Sequence, residues 1–382
     1  MKRNMVEGGD ETMKNVMRAV LFVIISALTL LWGTTGGTAA FAAASSAQPT
    51  SFKFRIPYAP AIAYGQFYVA QELYWPKLNL DGTALPGKGS AAAVQTVASG
   101  SEQMGYSSVV PIMEGIQQGM PIKILAVIGR RDPTGIVFMK DSGIRDIKDL
   151  VGKRVGNFPA GSTGPLFRTI LRQNGIDERK IQIVNVPPGG HTALLLERKI
   201  DAVVEFAGAG DVWMRCDGYD ATSLPLSDFG LELYGAGVFV NTKWADQVGD
   251  DVVARALLGI IQGSILVKQD SERALGILQK LNPHVQIDRF RGLSSVAAYI
   301  RWSWYPESPV LNKQGLGWID ETEMAKTQKV LVESSLLQKE IEVGGYYTNK
   351  YLKDPRVNQA AMEMVRTPWP KTPDDVKKKC GL

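Results

Sequence analysis

The stretch EQMGYSSVVPIMEGIQQGMPIKILAVI, residues 102–128, decides the fold class. Residues 102–106 have the pattern of a short strand, residues 111–118 that of a helix, and residues 122–128 form an apolar run typical of a buried strand. Strands and helices that alternate with short connections indicate crossover units. The stretch therefore predicts an α/β fold with a largely parallel, doubly wound sheet.

The same alternation continues on both sides of this stretch. Upstream, residues 52–56 alternate as a strand does, and a glycine-rich loop precedes a predicted helix at 91–98. Downstream, residues 181–186 and 201–206 are predicted strands that flank a helix at 191–198. The second run repeats the first and predicts a second, smaller α/β unit.

The pattern changes beyond Asn241. Residues 250–280 and 320–340 have the period and composition of amphipathic helices, and no further glycine-punctuated strand-helix unit follows. We expect these helices to pack back onto the first unit, so that the chain crosses between two lobes twice, near 138 and near 238. The predicted organisation is a first lobe at 52–137 and 239–365, a second lobe at 138–238, and a tail at 366–382.

The N-terminal segment has the features of a secretory signal. Lys14 and Arg18 precede the apolar run 19–32, and small residues with A-x-A patterns follow at 40–44. This run is shorter than the roughly 20 apolar residues of a membrane span. We predict that residues 1–44 are a cleavable signal peptide, with Met13 as an alternative start and an uncleaved anchor as the alternative interpretation.

Cysteine usage bears on the compartment. No cysteine lies near the predicted cleavage point, so the mature protein is expected in the periplasm without a lipid anchor. The two cysteines, Cys216 and Cys380, lie far apart in the sequence. A disulfide between them is compatible with an oxidising compartment, but two cysteines alone do not specify one. Their pairing stays open at this point.

Composition argues against several classes of function. The net charge of +5 is spread along the chain without an interleaved basic and aromatic stretch, so we expect no nucleic-acid partner. With only His191 and His284, no clustered metal ligands and no Walker A sequence, we expect neither metal nor cofactor. The segment Gly161-Ser162-Thr163-Gly164 lacks the first glycine of a serine-hydrolase elbow. An enzyme is therefore not expected, and an exported hydrolase is kept as an alternative.

Several residues occupy positions where α/β folds bind ligands. Ser90 and Ser162 begin predicted helices, where exposed N–H groups either meet a ligand acceptor or make a plain N-cap. His191 begins another helix and either caps it or faces a cleft. Glu205 ends an apolar strand, so its carboxylate is expected to pair with a ligand amine or with an arginine. The aromatic residues Trp302, Trp304 and Trp318 are expected in the core, with contact to the cleft as the alternative.

The order of these motifs resembles the periplasmic substrate-binding proteins of ABC importers of the nitrate, sulfonate, taurine and thiamine-pyrimidine (SsuA/THI5-like) family. The matching stretches include Gly105-Tyr106-Ser107-Ser108, Ile147-Lys148-Asp149-Leu150 and Lys199-Ile200-Asp201-Ala202-Val203. The resemblance implies a two-lobed periplasmic-binding-protein fold of type II with two interlobe crossovers. It also implies a small-molecule ligand, an inner-membrane ABC permease with its cytoplasmic ATPase, and a monomeric protein. The ligand residues that it implies are Tyr58, Tyr64, Ser90, Ala91, Tyr106, Ser107, Ser108, Ser162, Thr163, His191, Glu205 and Phe206.

The ligand class is the least constrained prediction. Family members commonly have Trp-Glu-Pro or a similar triplet where this chain has Glu205-Phe206-Ala207. The predicted ligand loops contain no arginine, so a sulfonate or nitrate would depend on N–H groups and hydroxyls. Aromatic side chains and a carboxylate suit a planar, amine-bearing heterocycle such as an aminopyrimidine. Alternatives are a periplasmic sensor-input protein and a pyrimidine synthase, whose cysteine-rich motif is absent here.

Overall fold

The computed structural model describes residues 48–157, 163–186, 190–304, 306 and 308–382. The predicted signal peptide, residues 1–44, lies outside these residues, as does Ser162. Within the described ranges, no helix is both long and apolar enough to cross a membrane.

Ten strands in the described residues form two five-stranded sheets. The strands are β1 (Thr50–Arg55), β2 (Leu80–Leu85), β3 (Met104–Ser108), β4 (Ile122–Gly129), β5 (Thr134–Met139), β6 (Arg154–Asn157), β7 (Gln182–Asn185), β8 (Ala202–Phe206), β9 (Ala221–Pro225) and β10 (Ala236–Asn241). The first sheet has the order β2-β1-β3-β10-β4, and the second has the order β7-β6-β8-β5-β9.

Each sheet has one strand that opposes the direction of the other four. In the first sheet this strand is β10, which is antiparallel to β3 and β4, and in the second it is β5, which is antiparallel to β8 and β9. Each of these is the first strand that the chain adds after leaving the other sheet. The predicted α/β fold, with two lobes, mostly parallel sheets and two crossovers, is confirmed.

The strand pairing shows where the chain changes sheets. It leaves the first sheet within residues 130–133 and returns within 226–235. The sequence predicted crossovers near 138 and 238, a few residues later in the chain than the observed ones. The strands at those positions, β5 and β10, begin the new sheet instead of ending the old one. The lobe boundaries derived from those positions remain predictions.

Helices flank both sheets. In chain order they are α1 (Gly65–Val69), α2 (Ser90–Ala98), α3 (Val109–Gln117), α4 (Thr163–Gln173), α5 (His191–Leu196), α6 (Gly210–Cys216), α7 (Thr242–Val248), α8 (Asp250–Gln269), α9 (Ser271–Leu281), α10 (Arg289–Ser295), α11 (Pro309–Gln314), α12 (Glu321–Glu333), α13 (Pro355–Arg366) and α14 (Asp374–Cys380). The chain continues from α1 into a π-helix, Ala70–Tyr74, and from α10 into another, Val296–Trp304.

The long helix α8 is buried along most of its length and packs against α1 and α13. The indole of Trp75 donates to the Ala256 carbonyl oxygen at 2.9 Å. Gly263 allows the close approach of α1, since a methyl group on its Cα would lie 2.2 Å from the carbonyl oxygen of Gln66. Because α1 directly follows the loop after β1, α8 anchors that loop to the first sheet.

The last helix is covalently attached to the middle of the chain. Cys216, at the end of α6, forms a disulfide with Cys380, at the end of α14. Both residues are buried, and each packs in the main hydrophobic core. The structure thus contains the pairing that the sequence left open.

Candidate functional site

A cavity of about 570 Å³ lies at the carboxyl end of β8, between the loop after β1 and helices α6 and α10. Its volume falls within the usual range for pockets that enclose a drug-sized ligand. The walls come from both parts of the fold. Residues from the loop after β1, the second sheet and the helices that flank them all line the cavity, among them Tyr58, Tyr64, Thr163, His191, Glu205, Phe206, Trp213, Asp288, Arg291, Ser295 and Tyr299.

Aromatic side chains make up much of the cavity wall. Tyr58 and Trp213 are partly exposed, whereas burial raises the pKa of the Tyr64 and Tyr299 hydroxyls, Tyr64 well above its ordinary value. Both hydroxyls are therefore neutral at physiological pH. The Tyr299 hydroxyl accepts a hydrogen bond from the Trp304 indole at 3.3 Å, which fixes the ring from behind. Such a wall offers flat, rigid surfaces on which a planar ring can stack.

An acidic and an imidazole side chain meet at this site. The Nδ1 atom of His191 lies 3.7 Å from a carboxylate oxygen of Glu205, and the other oxygen accepts from the Phe206 backbone N–H at 2.9 Å. Both side chains keep a quarter or more of their surface exposed. The carboxylate can accept hydrogen bonds from a ligand N–H group, and the imidazole can donate or accept.

Local structure explains this meeting. Glu205 lies near the carboxyl end of β8, where open α/β sheets bind ligands, and His191 is the first residue of α5 after Gly190 at the N-cap. Of the two alternatives for His191, the structure places the ring in the cavity. Of the two partners proposed for Glu205, an arginine is not found among its contacts in the described residues, and His191 takes that position.

The opposite wall contains residues that the sequence did not single out. Arg291 lines the cavity, but its guanidinium donates to the Asp217 carboxylate at 2.5 Å. Ser295 accepts a hydrogen bond from the Trp213 indole at 2.8 Å, and Asp288 caps α10 by accepting from the Arg291 N–H at 2.7 Å. The Asp288 cap is a sequence signal for a helix start, but nothing in the sequence indicates that this helix faces the cleft.

The predicted ligand residues fall into two groups. Tyr58, Tyr64, Thr163, His191 and Glu205 line the cavity together with Phe206. A second group, from β3 and the start of α2, is not part of the cavity wall, and its ligand contacts remain predictions. This group is Ser90, Ala91, Tyr106, Ser107 and Ser108, and Ser162 lies outside the described residues.

Members of the second group have structural roles in and around β3. The Ser107 hydroxyl donates to the Ser90 carbonyl oxygen at 3.1 Å and joins β3 to the start of α2. Ser108 caps α3. The buried Tyr106 ring lies 6.2 Å from Tyr64 and 5.8 Å from Trp304, between centroids. Tyr106 therefore supports the aromatic wall from within the core, and Trp304 is buried there as well.

The described residues do not contain a cluster of three or more His, Cys, Asp or Glu side chains that could hold a metal ion. The polar groups in the cavity are instead a few hydrogen-bonding groups among aromatic side chains. This arrangement suits the reversible binding of an organic molecule.

The chain is similar to several known proteins. Riboflavin-binding protein RibY of Chloroflexus aurantiacus is 21% identical over 342 residues, which cover 87% of this chain and 95% of that protein. The periplasmic aliphatic sulphonate binding protein SsuA from Escherichia coli superposes with a TM-score of 0.61 at 15% identity, covering 78% of this chain and 92% of that chain. The desulfurization enzyme DSZB also has this fold, with a TM-score of 0.55 at 14% identity, covering 81% and 99%.

A family model described as NMT1/THI5 like matches residues 62–273, more than half of the 382-residue chain. The matched region includes both crossovers, β8 and the residues His191 and Glu205. The fold is shared with periplasmic binding proteins over most of the chain. The chain therefore belongs to the NMT1/THI5-like family.

Proposed function

We propose that this protein is the periplasmic substrate-binding component of an ABC-type importer and that it captures a planar, N–H-bearing heterocycle. The observation that carries the proposal is the Glu205 carboxylate, which faces a cavity walled by aromatic rings. The ligand is held between the two lobes and delivered to a membrane permease. No covalent bond is made or broken.

The cavity size favours a ligand with more than one ring. About 570 Å³ suits a drug-sized molecule better than a single pyrimidine ring or a short alkanesulfonate. The isoalloxazine group of riboflavin, the ligand named for RibY, is planar and carries an imide N–H. Stacking on Tyr58, Phe206 or Trp213 with the N–H directed at Glu205 would use both properties of the site.

An anion such as a sulfonate is the less favourable ligand. Its charge would be repelled by the Glu205 carboxylate, and Arg291, the cation in the cavity wall, already pairs with Asp217. A carboxylate repels another anion and forms a favourable hydrogen bond with a donor. Recognition of a neutral heterocycle therefore fits the polar groups of this cavity better than recognition of an anion.

Ligand capture follows from the two-lobed architecture. A ligand that contacts both lobes stabilises the closed arrangement because only there are all of its contacts made. The permease then recognises the closed form. The Cys216–Cys380 disulfide supports export because disulfides persist in oxidising compartments such as the periplasm.

A binding screen tests the proposal. The protein is mixed with riboflavin, an aminopyrimidine, an aliphatic sulfonate and nitrate, and thermal unfolding is measured for each mixture. A ligand present at 100 times its Kd stabilises the native state by about 2.7 kcal/mol, which raises Tm measurably. We expect riboflavin or the aminopyrimidine to raise Tm and the anions to have no effect. Stabilisation by the sulfonate alone would refute the ligand class, and no stabilisation by any of the four would refute the proposal.

The enzymatic alternative has its own test, since DSZB shows that this fold also occurs in an enzyme. The ligand found in the screen is incubated with stoichiometric protein, released by denaturation and analysed by mass spectrometry. We expect it to be recovered unchanged. A product formed with the protein and not with heat-denatured protein would contradict the binding function.

A further inference from the structure

Helix α6 belongs to the cores of both lobes. It follows β8 and packs against β9 and β5 of the second sheet, where Met214 joins the local hydrophobic cluster. Its residues Val212 and Cys216 instead pack in the main core, together with α10 and α14. The two sides of this short helix are therefore held by different parts of the fold.

The contacts of α6 with α10 and the following π-helix form a continuous seam. A methyl group on Gly208 would lie 3.4 Å from the Tyr299 Cα, so the two backbones approach closely there. Further along, Trp213 donates to Ser295 at 2.8 Å, and Arg291 donates to Asp217 at 2.5 Å. As the first partner advances from 208 to 217, the second moves back from 299 to 291. The two segments therefore run in opposite directions along one edge of the cavity.

One end of the seam lies close to a crossover. The Arg131 N–H, in the first crossover, donates to the Ser303 carbonyl oxygen at 2.9 Å, four residues beyond Tyr299. The other end is the Cys216–Cys380 disulfide, whose Cys216 sulfur lies 3.3 Å from the Ser294 hydroxyl oxygen. The disulfide thus lies near the end of the seam that is opposite to the contact between Arg131 and Ser303.

The C-terminal helix is docked firmly enough to act as an anchor for this bond. Val376 and Cys380 of α14 are fully buried, and the Lys379 ammonium lies 4.2 Å from the centroid of the Phe290 ring. Arg289 of α10 pairs with Asp375 at 2.7 Å. Because α14 is bound to α10 and covalently bound to α6, α6 can leave α10 only if α14 leaves with it.

We propose that the Cys216–Cys380 disulfide is a strap that keeps the seam between α6 and α10 closed, so that the lobes open at the opposite edge of the cavity. The hydrogen bonds of the seam are individually reversible, whereas the disulfide is not. The loop of Tyr58 and the start of α5 at His191, which line the cavity without belonging to the seam, are the walls that separate. This inference concerns the ligand-free protein and does not require the proposed function.

The strap is tested by hydrogen–deuterium exchange of the ligand-free protein. Wild type is compared with the double variant C216A/C380A, with mass-spectrometric readout of peptides covering 210–217 and 289–304. Without the strap, we expect protection in these two segments to fall roughly tenfold or more. Peptides from α8, which lies deep in the first lobe, should keep their protection.

A second sample separates loss of the bond from loss of the sulfur atoms. Wild type that is unfolded, reduced and refolded in reductant keeps both side chains but not the bond. It should exchange as the double variant does. Unchanged protection of the seam in both samples would overturn the proposal, and so would an equal loss of protection in α8, because the disulfide would then stabilise the whole fold instead of one edge.

Discussion

The two walls of the cavity use their polar groups differently. On the wall at the end of the second sheet (the sheet wall), Glu205 and His191 face the cavity and contact each other only at 3.7 Å. On the wall formed by α6 and α10 (the helical wall), Arg291 and Ser295 are already hydrogen-bonded to Asp217 and Trp213 across the seam. The first wall keeps hydrogen-bonding capacity for a ligand, whereas the second uses it to hold the protein together.

This difference separates recognition from closure. A carboxylate with one backbone hydrogen bond and a long contact to an imidazole has further acceptor positions for a ligand. A guanidinium that is already paired with a carboxylate gains little binding free energy from a second anion. Substitutions on the sheet wall should therefore change ligand affinity, and substitutions on the helical wall should change the stability of the seam.

Replacement of Glu205 is expected to have the largest effect. A hydrogen bond to a charged group contributes about 1.5–3 kcal/mol, so E205A should weaken heterocycle binding by roughly 10- to 100-fold. Isothermal titration calorimetry with the ligand found in the screen, riboflavin being the first to try, measures the change. E205Q retains one acceptor oxygen and should fall between wild type and E205A.

The matched control for this effect is E197Q, because Glu197 lies in the same lobe, is exposed and is not part of the cavity wall. The ligand affinity of E197Q should equal that of wild type. Equal affinities of E205A and E197Q would mean that the sheet wall does not recognise the ligand.

The hydrogen bond between Trp213 and Ser295 offers a test of intermediate size. W213F removes the indole donor and S295A removes its acceptor, and each should lower the free energy of unfolding by about 1 kcal/mol. Because both substitutions break the same bond, the double variant should be only slightly less stable than either single one. Urea unfolding followed by circular dichroism provides the three values.

If the losses of unfolding free energy in the two single variants added up in the double variant, Trp213 and Ser295 would act independently. That result would contradict a shared hydrogen bond in the seam. S294A is a useful comparison, since Ser294 lies next to Ser295 but contacts Cys216 instead of Trp213. It should not couple to W213F to the same extent.

The sheet wall was accessible from the sequence and the helical wall was not. Glu205 follows an apolar run of period and length typical of a strand, and the carboxyl end of such a strand is a general ligand position. His191 follows a glycine at a helix start. Both signals are local in the chain, so the residues on either side were enough to predict them.

The helical wall depends on contacts between distant segments. Trp213 meets Ser295 across 82 positions, and Cys216 meets Cys380 across 164. Amphipathic periodicity predicted helices after Asn241 but not which of them turns toward the cavity. Ser90, Tyr106 and Ser107 show the converse case, because their motifs are recognisable in the sequence although the residues are not part of the cavity wall.

The smallest expected effect concerns the strand that carries the sheet wall. Asp201 precedes β8, and its carboxylate accepts from the backbone N–H and the guanidinium of Arg154 on β6 at 2.8–3.1 Å. The Arg154 side-chain hydrogen bonds hold the pKa of Asp201 below its ordinary value. The folded state therefore favours the ionised carboxylate, and this contribution to stability is present above the unfolded pKa of about 3.9.

This contribution is lost as the pH falls through the lowered pKa of the folded state, because the proton then binds both states. D201N should accordingly reduce the urea midpoint slightly at pH 7, and the gap to wild type should narrow below about pH 4. The pair is partly exposed, so solvent screening keeps the effect small. A gap that stayed constant from pH 7 to pH 3 would mean that Asp201 stabilises β8 through its shape and not through its charge, and the sheet wall would then not depend on this ion pair.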